Sequence, residues 1–374
     1  MQHVTAITLE EQRHKAQLAF VAGGAELEVG SSRACPLPLE QLLATRGNEP
    51  YVIETHSGGL TAFVYRLRVD GRDWTLKLAR KESLVRNIDG QTSFLNEVQR
   101  RADFETLKAQ PGGRQRFAAI VDTTYASFRR GVMVSPWIEG EIVRTWDERR
   151  IAQLIAAACE CASAGLFEWD LSPGNILDDG RQIRLFDFGY MYRFGPLRQF
   201  NSAGVGDDLP LFHPVERFET RNFFGVLLTM ERERGAAAAL AAFRLEKEIA
   251  IEAYRKLRAD LAARGATVTV LDWFDGMIAR WSKALDADLD ALYLTEGWRS
   301  HVLDLDDDLR GQTCTPMTLA RADWLIDALL RHHPALMAND AFFWHDIGRA
   351  RDPLLLDYRG RRARAEKFQI ASRR

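Results

Sequence analysis

The spacing of hydrophobic positions changes period along the chain. From Thr8 to Gly23, Leu9, Ala16, Leu18, Ala19 and Phe20 are mixed with charges and closed by Gly23-Gly24, which predicts a helix. Pro36–Arg46 predicts a second, shorter one. After Tyr51 the pattern turns to short aromatic and aliphatic runs, Tyr51–Thr55, Ala62–Val69 and Trp74–Ala79, with Asp70-Gly71 as a hairpin signal between the last two. Gln91–Leu107 reads as a helix, and Phe117–Thr123 and Gly131–Ser135 as two further strands. In Asp147–Gly165 one apolar stripe (Ile151, Leu154, Ile155, Ala158, Ala162) runs to a stop at Gly165. A strand-turn-strand pattern covers Asn175–Phe186, and a long loop, Tyr190–Leu211, follows. Beyond it, Ala236–Ala263, Leu271–Leu294, Thr318–Arg331 and Asn339–Arg349 all predict helix.

Composition narrows the class without naming a function. At 374 residues, 46% hydrophobic and 27% charged, the chain has the make-up of a soluble globular protein. Its formal net charge of −2 gives no reason to expect nucleic acid or a membrane surface. No apolar run approaches the roughly 20 residues of a membrane span. Cys35, Cys159, Cys161 and Cys314 follow neither a zinc-ligand nor a disulfide-framework pattern, so a reducing, cytoplasmic setting is expected. Polar residues open the chain where a secretory signal would be basic and then apolar. A non-cleaved signal for delivery into another cell would escape this reading. The acidic run Asp304–Asp308 reads as a solvated cap or loop. His332-His333 and His345-Asp346 lack a third metal ligand, and the arginine-rich tail from Arg359 to Arg374 reads as a solvated basic terminus.

Chemistry concentrates between Phe167 and Tyr190. Asp170 is followed five positions later by Asn175, and twelve residues beyond stands Asp187, inside Asp187-Phe188-Gly189. A carboxylate can orient a hydroxyl nucleophile, and an amide plus a second carboxylate supply the hard oxygens that Mg²⁺ prefers. Upstream, Lys77 stands on the third predicted strand, where an inward ammonium needs a partner. Glu97, on the Gln91–Leu107 helix, is the first candidate and Glu105 the alternative. Between the first two strands lies the small-residue stretch His56-Ser57-Gly58-Gly59-Leu60-Thr61-Ala62-Phe63-Val64.

Together these motifs resemble the protein-kinase-like superfamily, whose catalytic loop reads D-x-x-x-x-N and whose metal-binding turn reads D-F-G. The resemblance runs in order from Tyr51 to Gly189. It implies an α+β, two-lobed fold: a helical extension over 1–48, a five-stranded first lobe over 49–135, and a hinge with an enlarged helical second lobe over 136–374. It implies ATP and Mg²⁺ as cofactors and a hydroxyl acceptor. Asp170 would orient that hydroxyl, and Asn175 and Asp187 would bind Mg²⁺. Lys77, placed by Glu97, would contact the α/β-phosphates. Ser57, Gly58, Gly59, Ala62 and Val64 would form the phosphate-covering loop, and the Pro136 carbonyl and Ile138 N–H would face adenine.

Asp170-Leu171-Ser172-Pro173-Gly174-Asn175 resembles the D-L-x-P-x-N of Ser/Thr protein kinases. Its Pro-Gly-Asn also resembles the aminoglycoside and choline phosphotransferases and the lipopolysaccharide-core sugar kinases. Ser172 replaces the phosphate-contacting lysine usual in Ser/Thr kinases. The long segment from Asp187 to Glu216 leaves room for a peptide, so a protein acceptor is expected, with a small molecule or lipopolysaccharide sugar as the alternative. A third reading is a pseudokinase scaffold, prompted by Glu168-Trp169 in place of His-Arg. Trp169 also removes the arginine that would bind a phosphorylated loop, so the loop is expected to be held by packing around Trp169, Tyr190, Tyr192 and Phe194. Thr220 replaces the aspartate of the D-x-x-x-x-G helix.

Overall fold

The apolar runs Ala62–Val69 and Trp74–Ala79 pair as a hairpin across Asp70-Gly71 and turn one face to a helix. A computed structural model describes residues 7–56 and 58–370. Helix α1 (Leu9–Ala22) opens with a capping box, in which the Thr8 hydroxyl accepts from the Glu11 N–H and the Glu11 carboxylate from the Thr8 N–H. Then come β1 (Glu28–Gly30), α2 (Leu39–Leu43), β2 (Val52–His56), β3 (Ala62–Val69), β4 (Arg72–Ala79), α3 (Ile88–Lys108), α4 (Gly113–Arg116), β5 (Tyr125–Ser127) and β6 (Val132–Pro136). The six strands form one antiparallel sheet in the order β1-β5-β6-β4-β3-β2. Helix α3, capped by the Asn87 side chain, packs Phe94 and Val98 against Ala62 and Met133 of the sheet.

Two expectations change here. The sheet has six strands rather than five, because the N-terminal segment adds β1 to the edge beside β5. Gly30 permits that approach: its φ is +73°, and a Cβ there would stand 2.2 Å from the Thr124 carbonyl oxygen. Phe117–Thr123 is not a strand. Phe117, Ile120 and Val121 are buried in the core of the helical lobe, and the strand paired with β6 begins at Tyr125. Apolar spacing reported burial there; the segment's pairing is a single parallel bridge of Ile120 to Leu185, outside the six-stranded sheet.

The second lobe is built on α5 (Glu148–Ser163), whose buried stripe of Ile151, Leu154, Ile155, Ala158 and Ala162 is the one the periodicity predicts. Around it lie β7 (Glu141–Ile142), β8 (Leu166–Glu168), β9 (Ile176–Asp178), β10 (Ile183–Leu185) and β11 (Met191–Arg193), in two small antiparallel sheets, β10-β9-β7 and β11-β8. Next come α6 (Pro214–Phe218), a π-helical turn (Glu219–Phe223), α7 (Phe224–Arg234), α8 (Ala236–Ala263), α9 (Val268–Ala287), α10 (Leu289–Gly311), α11 (Pro316–Ala338) and α12 (Arg351–Lys367).

The expected Leu271–Leu294 helix is divided at Asp288, whose side chain caps α10. The acidic run Asp304–Asp308 lies inside α10 rather than in a loop. Of the expected Asn339–Arg349 helix only the 3-10 turn Trp344–Asp346 forms. Over its described length the basic tail is the helix α12: Arg361 pairs with Asp306 at 2.9 Å and Arg362 with Asp323 at 2.6 Å, while Arg359, Arg364 and Lys367 are exposed as expected. Arg373 and Arg374 fall outside the described residues. Asp357 of α12 joins His345 and Asp346, but Arg349 and Arg361 already neutralise those carboxylates. Among the described residues, no helix is long and apolar enough to cross a membrane. The four cysteines are free thiols.

Candidate active site

The register of β3 on β4 sets Val64 opposite Lys77 and Ala62 opposite Ala79, so all four share the sheet face covered by α3. Lys77 Nζ donates to both carboxylate oxygens of Glu97, at 2.9 and 3.0 Å, and lies 3.0 Å from Asp187 Oδ2. Lys77 and Glu97 are 6% and 4% exposed, so their charges have little water to screen them. Burial alone would lower the Lys77 ammonium; Asp187 and then Glu97 more than offset it, and its pKa is raised. Arg101 Nη2, one turn along α3, is a second donor to Glu97 Oε1 at 2.9 Å. Glu105, the alternative partner, instead accepts the Thr123 N–H at 3.4 Å.

Asp187 adopts a left-handed backbone conformation, with φ +70°. Such conformations persist where the surroundings over-determine them. Phe188 is buried and packs against Phe104 of α3, ring centroids 4.9 Å apart. Asn96 Nδ2 reaches the carbonyls of Phe188, Gly189 and Met191 at 2.7–3.1 Å. Asn96 Oδ1 in turn accepts from Gln17 of α1 at 3.3 Å. The turn that presents Asp187 is thus fixed to the helix that presents Glu97, and α1 braces both. Burial disfavours the ionised Asp187, but the nearby Lys77 ammonium outweighs it and holds the carboxyl below its usual range.

Asn175 Nδ2 donates to the Asp170 carbonyl at 3.0 Å and to Asp170 Oδ2 at 3.1 Å. The Phe186 N–H donates to the Asn175 carbonyl at 3.4 Å, bringing the backbones on either side of the β9–β10 hairpin together. Asn175 and Asp187 therefore offer an amide oxygen and a carboxylate at one end of that hairpin. These are donors that a hard divalent cation takes. Beneath the loop, buried Glu168 Oε1 accepts the Asp170 N–H at 2.8 Å, while Oε2 has no partner. Burial pushes this carboxyl well above the usual range. Protonated, it is neutral and carries its hydrogen on an otherwise orphaned oxygen.

Of the expected phosphate-covering loop, Ser57 lies outside the described residues. A Cβ on Gly59 would stand 2.3 Å from the Ala62 carbonyl oxygen, whereas Gly58 is open on all sides. Arg80 Nε donates to the Gly59 carbonyl and the Leu84 N–H to the Leu60 carbonyl, both at 2.9 Å, pinning the tip. Pro136 ends β6 at the surface, and the Ile138 N–H has no partner among the described residues. Trp137 stacks on His56, 5.7 Å between centroids.

Two features were not legible in advance, and a third was foreseen only in part. The first is Arg221, on the π-helical turn, whose Nε lies 3.2 Å from Asp170 Oδ1. The second is Asn222, which bonds the Leu171 carbonyl at 3.3 Å and the Trp146 indole at 3.0 Å; it, rather than Thr220, anchors the 170–175 loop. The third is the 190–212 segment: the expected packing of Trp169 and Phe194 is present, and the polar bonds and the α1 contacts that close the segment are additional. Trp169 donates its indole N–H to Ser202 at 2.8 Å and packs against Phe167 and Phe212. Arg13 of α1 lies 3.6 Å from the Tyr192 ring centroid, and the Leu9 N–H donates to Gly204. A cavity of about 360 Å³ remains beside Asp170, walled by Leu60, Tyr190, Arg221, Asp307 and Trp344 among others.

No family model matches the sequence, and no curated protein matches it. Solved structures do match. Two structures of WbdD, one described as a bifunctional kinase-methyltransferase, give TM-scores of 0.33 and 0.32 at 15% and 16% identity. Each match covers 58% of this chain and 51% or 52% of WbdD, so the matched region spans about half of that protein. The PknI kinase domain of M. tuberculosis gives a TM-score of 0.32 at 12% identity, over 64% of this chain and 100% of the other. Likeness this slight transfers no activity and no acceptor.

Proposed function

We propose that the chain is a protein-kinase-like phosphotransferase, moving the γ-phosphate of Mg·ATP to a hydroxyl on a compact acceptor. The observation that carries this reading is the junction at Lys77, whose ammonium meets Glu97 at 2.9 Å and Asp187 at 3.0 Å while Asn175 bonds Asp170. In this reading Lys77 binds the α/β-phosphates, held in place by Glu97. The tip at Gly58–Gly59 brings backbone N–H groups close to phosphate oxygens. The Ile138 N–H and Pro136 carbonyl take the adenine edge. Asp187 and Asn175 hold Mg²⁺, which when bound neutralises charge on the phosphate oxygens. Asp170 orients the acceptor hydroxyl and accepts its proton.

The length of the 187–216 segment favoured a protein acceptor on sequence grounds. Its packing supports the alternative. A peptide needs an open groove, whereas here the segment is closed by the Trp169 bond to Ser202, by Asn201 bonding Leu209 and Phe212 within it, and by the Leu9 N–H of α1 on Gly204. What remains beside Asp170 is a cavity within the size range of small-ligand pockets. The test is incubation with γ-labelled Mg·ATP and separate protein, lipid and small-metabolite fractions of a cell lysate. Label should enter the small-metabolite fraction and be lost in Asp170→Asn, since positioned proton transfer contributes about 10²–10⁴-fold. Label confined to protein would restore the peptide reading. Nucleotide binding with no transfer to any fraction would leave the pseudokinase scaffold.

A further inference from the structure

A transferring phosphoryl group develops charge that a protein stabilises with fixed cations. The catalytic loop Asp170-Leu171-Ser172-Pro173-Gly174-Asn175 carries none. Lys77 meets Glu97 and Asp187 and, in the phosphotransferase reading, is taken up by the α/β-phosphates. The cation nearest Asp170 comes instead from Arg221, fifty-one residues along the chain. Its Nε lies 3.2 Å from Asp170 Oδ1, and its Nη1 bonds Asp304 and lies 3.7 Å from Asp308. Nη2 has no partner among the described residues, and Arg221 forms part of the cavity wall shared with Asp170.

The turn that carries Arg221 is fixed on both sides. Asn222 bonds the catalytic-loop carbonyl of Leu171. The buried Glu219 carboxylate is bound by Lys247 and Arg299. A π-helical turn inserts one residue into the helical repeat and re-aims the side chains it carries, and such turns recur at functional sites. Of the other cavity arginines, Arg13 is bound to Asp89, Arg217 is bidentate with Glu216 beneath Trp169, and Arg310 is exposed and makes no bond to Asp170. Only Arg221 among them contacts Asp170.

We propose that Arg221 is a further catalytic residue, an arginine supplied in cis whose Nη2 edge binds the transferring phosphoryl group where Ser172 leaves the catalytic loop without a cation. This rests on the phosphotransferase reading. In the transfer, the acceptor oxygen bonds to the γ-phosphorus as that phosphorus parts from the β,γ-bridging oxygen. ADP keeps the electron pair, and the acceptor proton passes to Asp170. Arg221 changes no bond. Asp304 and Asp308 hold its guanidinium, so that little of it must be ordered when the substrate arrives.

The test compares wild type with Arg221→Gln and Arg221→Lys in the full chain. Binding of Mg·ADP is measured with and without aluminium fluoride, which mimics the planar phosphoryl group, and turnover is measured as ATP hydrolysis by water. Wild type should bind Mg·ADP more tightly when aluminium fluoride is added. Arg221→Gln should keep its Mg·ADP affinity within about twofold, lose most of the added tightening, and hydrolyse ATP about 10²–10³-fold more slowly at unchanged KM for ATP, the range seen when one transition-state donor is removed. Arg221→Lys keeps the charge against Asp170 and Asp304. If the glutamine variant does not fold, the lysine variant should still lose part of the tightening. Undiminished tightening in a folded variant overturns the proposal, even if turnover falls, because Arg221 would then act only by positioning Asp170. Failure of wild type to bind Mg·ADP would instead overturn the underlying phosphotransferase reading.

Discussion

Replacing Glu97 with alanine tests how the two lobes are held in register. Glu97 accepts Lys77 on both oxygens and Arg101 on one, and all three side chains are at most 8% exposed. The variant leaves two buried cations with one carboxylate, Asp187, whose side chain is 36% exposed. Breaking a buried ion pair by removing one partner costs about 3–5 kcal/mol. Lys77→Met should cost less, because Glu97 then keeps Arg101. For a chain this long about 2–3 °C of Tm accompanies each kcal/mol, so Glu97→Ala should melt on the order of 6–15 °C below wild type, and below Lys77→Met. Calorimetry gives the ordering, and titration with Mg·ATP should show both variants binding more weakly. A Glu97→Ala protein melting within about 2 °C of wild type would refute the reasoning, since a buried and doubly bonded carboxylate cannot be that inexpensive to remove.

Other consequences follow from the same geometry. The raised Glu168 carboxyl keeps its proton in the folded state at pH values where the unfolded chain, near 4.5, has released it. Its favourable contribution is therefore complete below that value and lost as pH rises through the folded pKa. Glu168→Gln, neutral at every pH, should gain Tm relative to wild type between pH 5 and 8; a difference that stays constant would place an ionised carboxylate at 168. Ser202 and Tyr192 are 2% and 4% exposed, Ser202 accepting from Trp169 and Tyr192 donating to Asp89. Phosphatase-treated protein should therefore keep its turnover. A loss beyond about tenfold, roughly 1.4 kcal/mol of barrier, that rephosphorylation reverses would contradict this.

Legibility in the sequence followed the range over which each constraint acts. The Asp170–Asn175–Asp187 spacing was readable because one loop and one hairpin place all three residues. Lys77 with Glu97 was readable because a strand lysine facing inward must find a carboxylate on the adjoining helix. Strand β1 was hidden because three residues, Glu28–Gly30, carry too little periodicity to register. The division at Asp288 was hidden because helical spacing continues across it. Arg221 could not be found from spacing, since its place beside Asp170 depends on a π-helical turn and on anchors from α8 and α10. The aromatic packing of the 190–212 segment around Trp169 and Phe194 was legible, but not the single bonds such as Trp169 to Ser202 or the contacts with the remote α1 that close it.

The central claim is that Asp187, presented to Lys77 across the cleft, holds the cation through which nucleotide binds. The most direct measurement is Mg²⁺-dependent binding of ATP by wild type and by Asp187→Ala, read by calorimetric titration with and without the metal. Lys77 keeps Glu97 in the variant, so the fold should persist. Wild type should bind ATP more tightly with Mg²⁺ than without, and Asp187→Ala should lose at least about tenfold of that gain, roughly 1.4 kcal/mol. Equal Mg²⁺-dependent affinity in the two proteins, or a wild type that binds no ATP at all, would contradict the account.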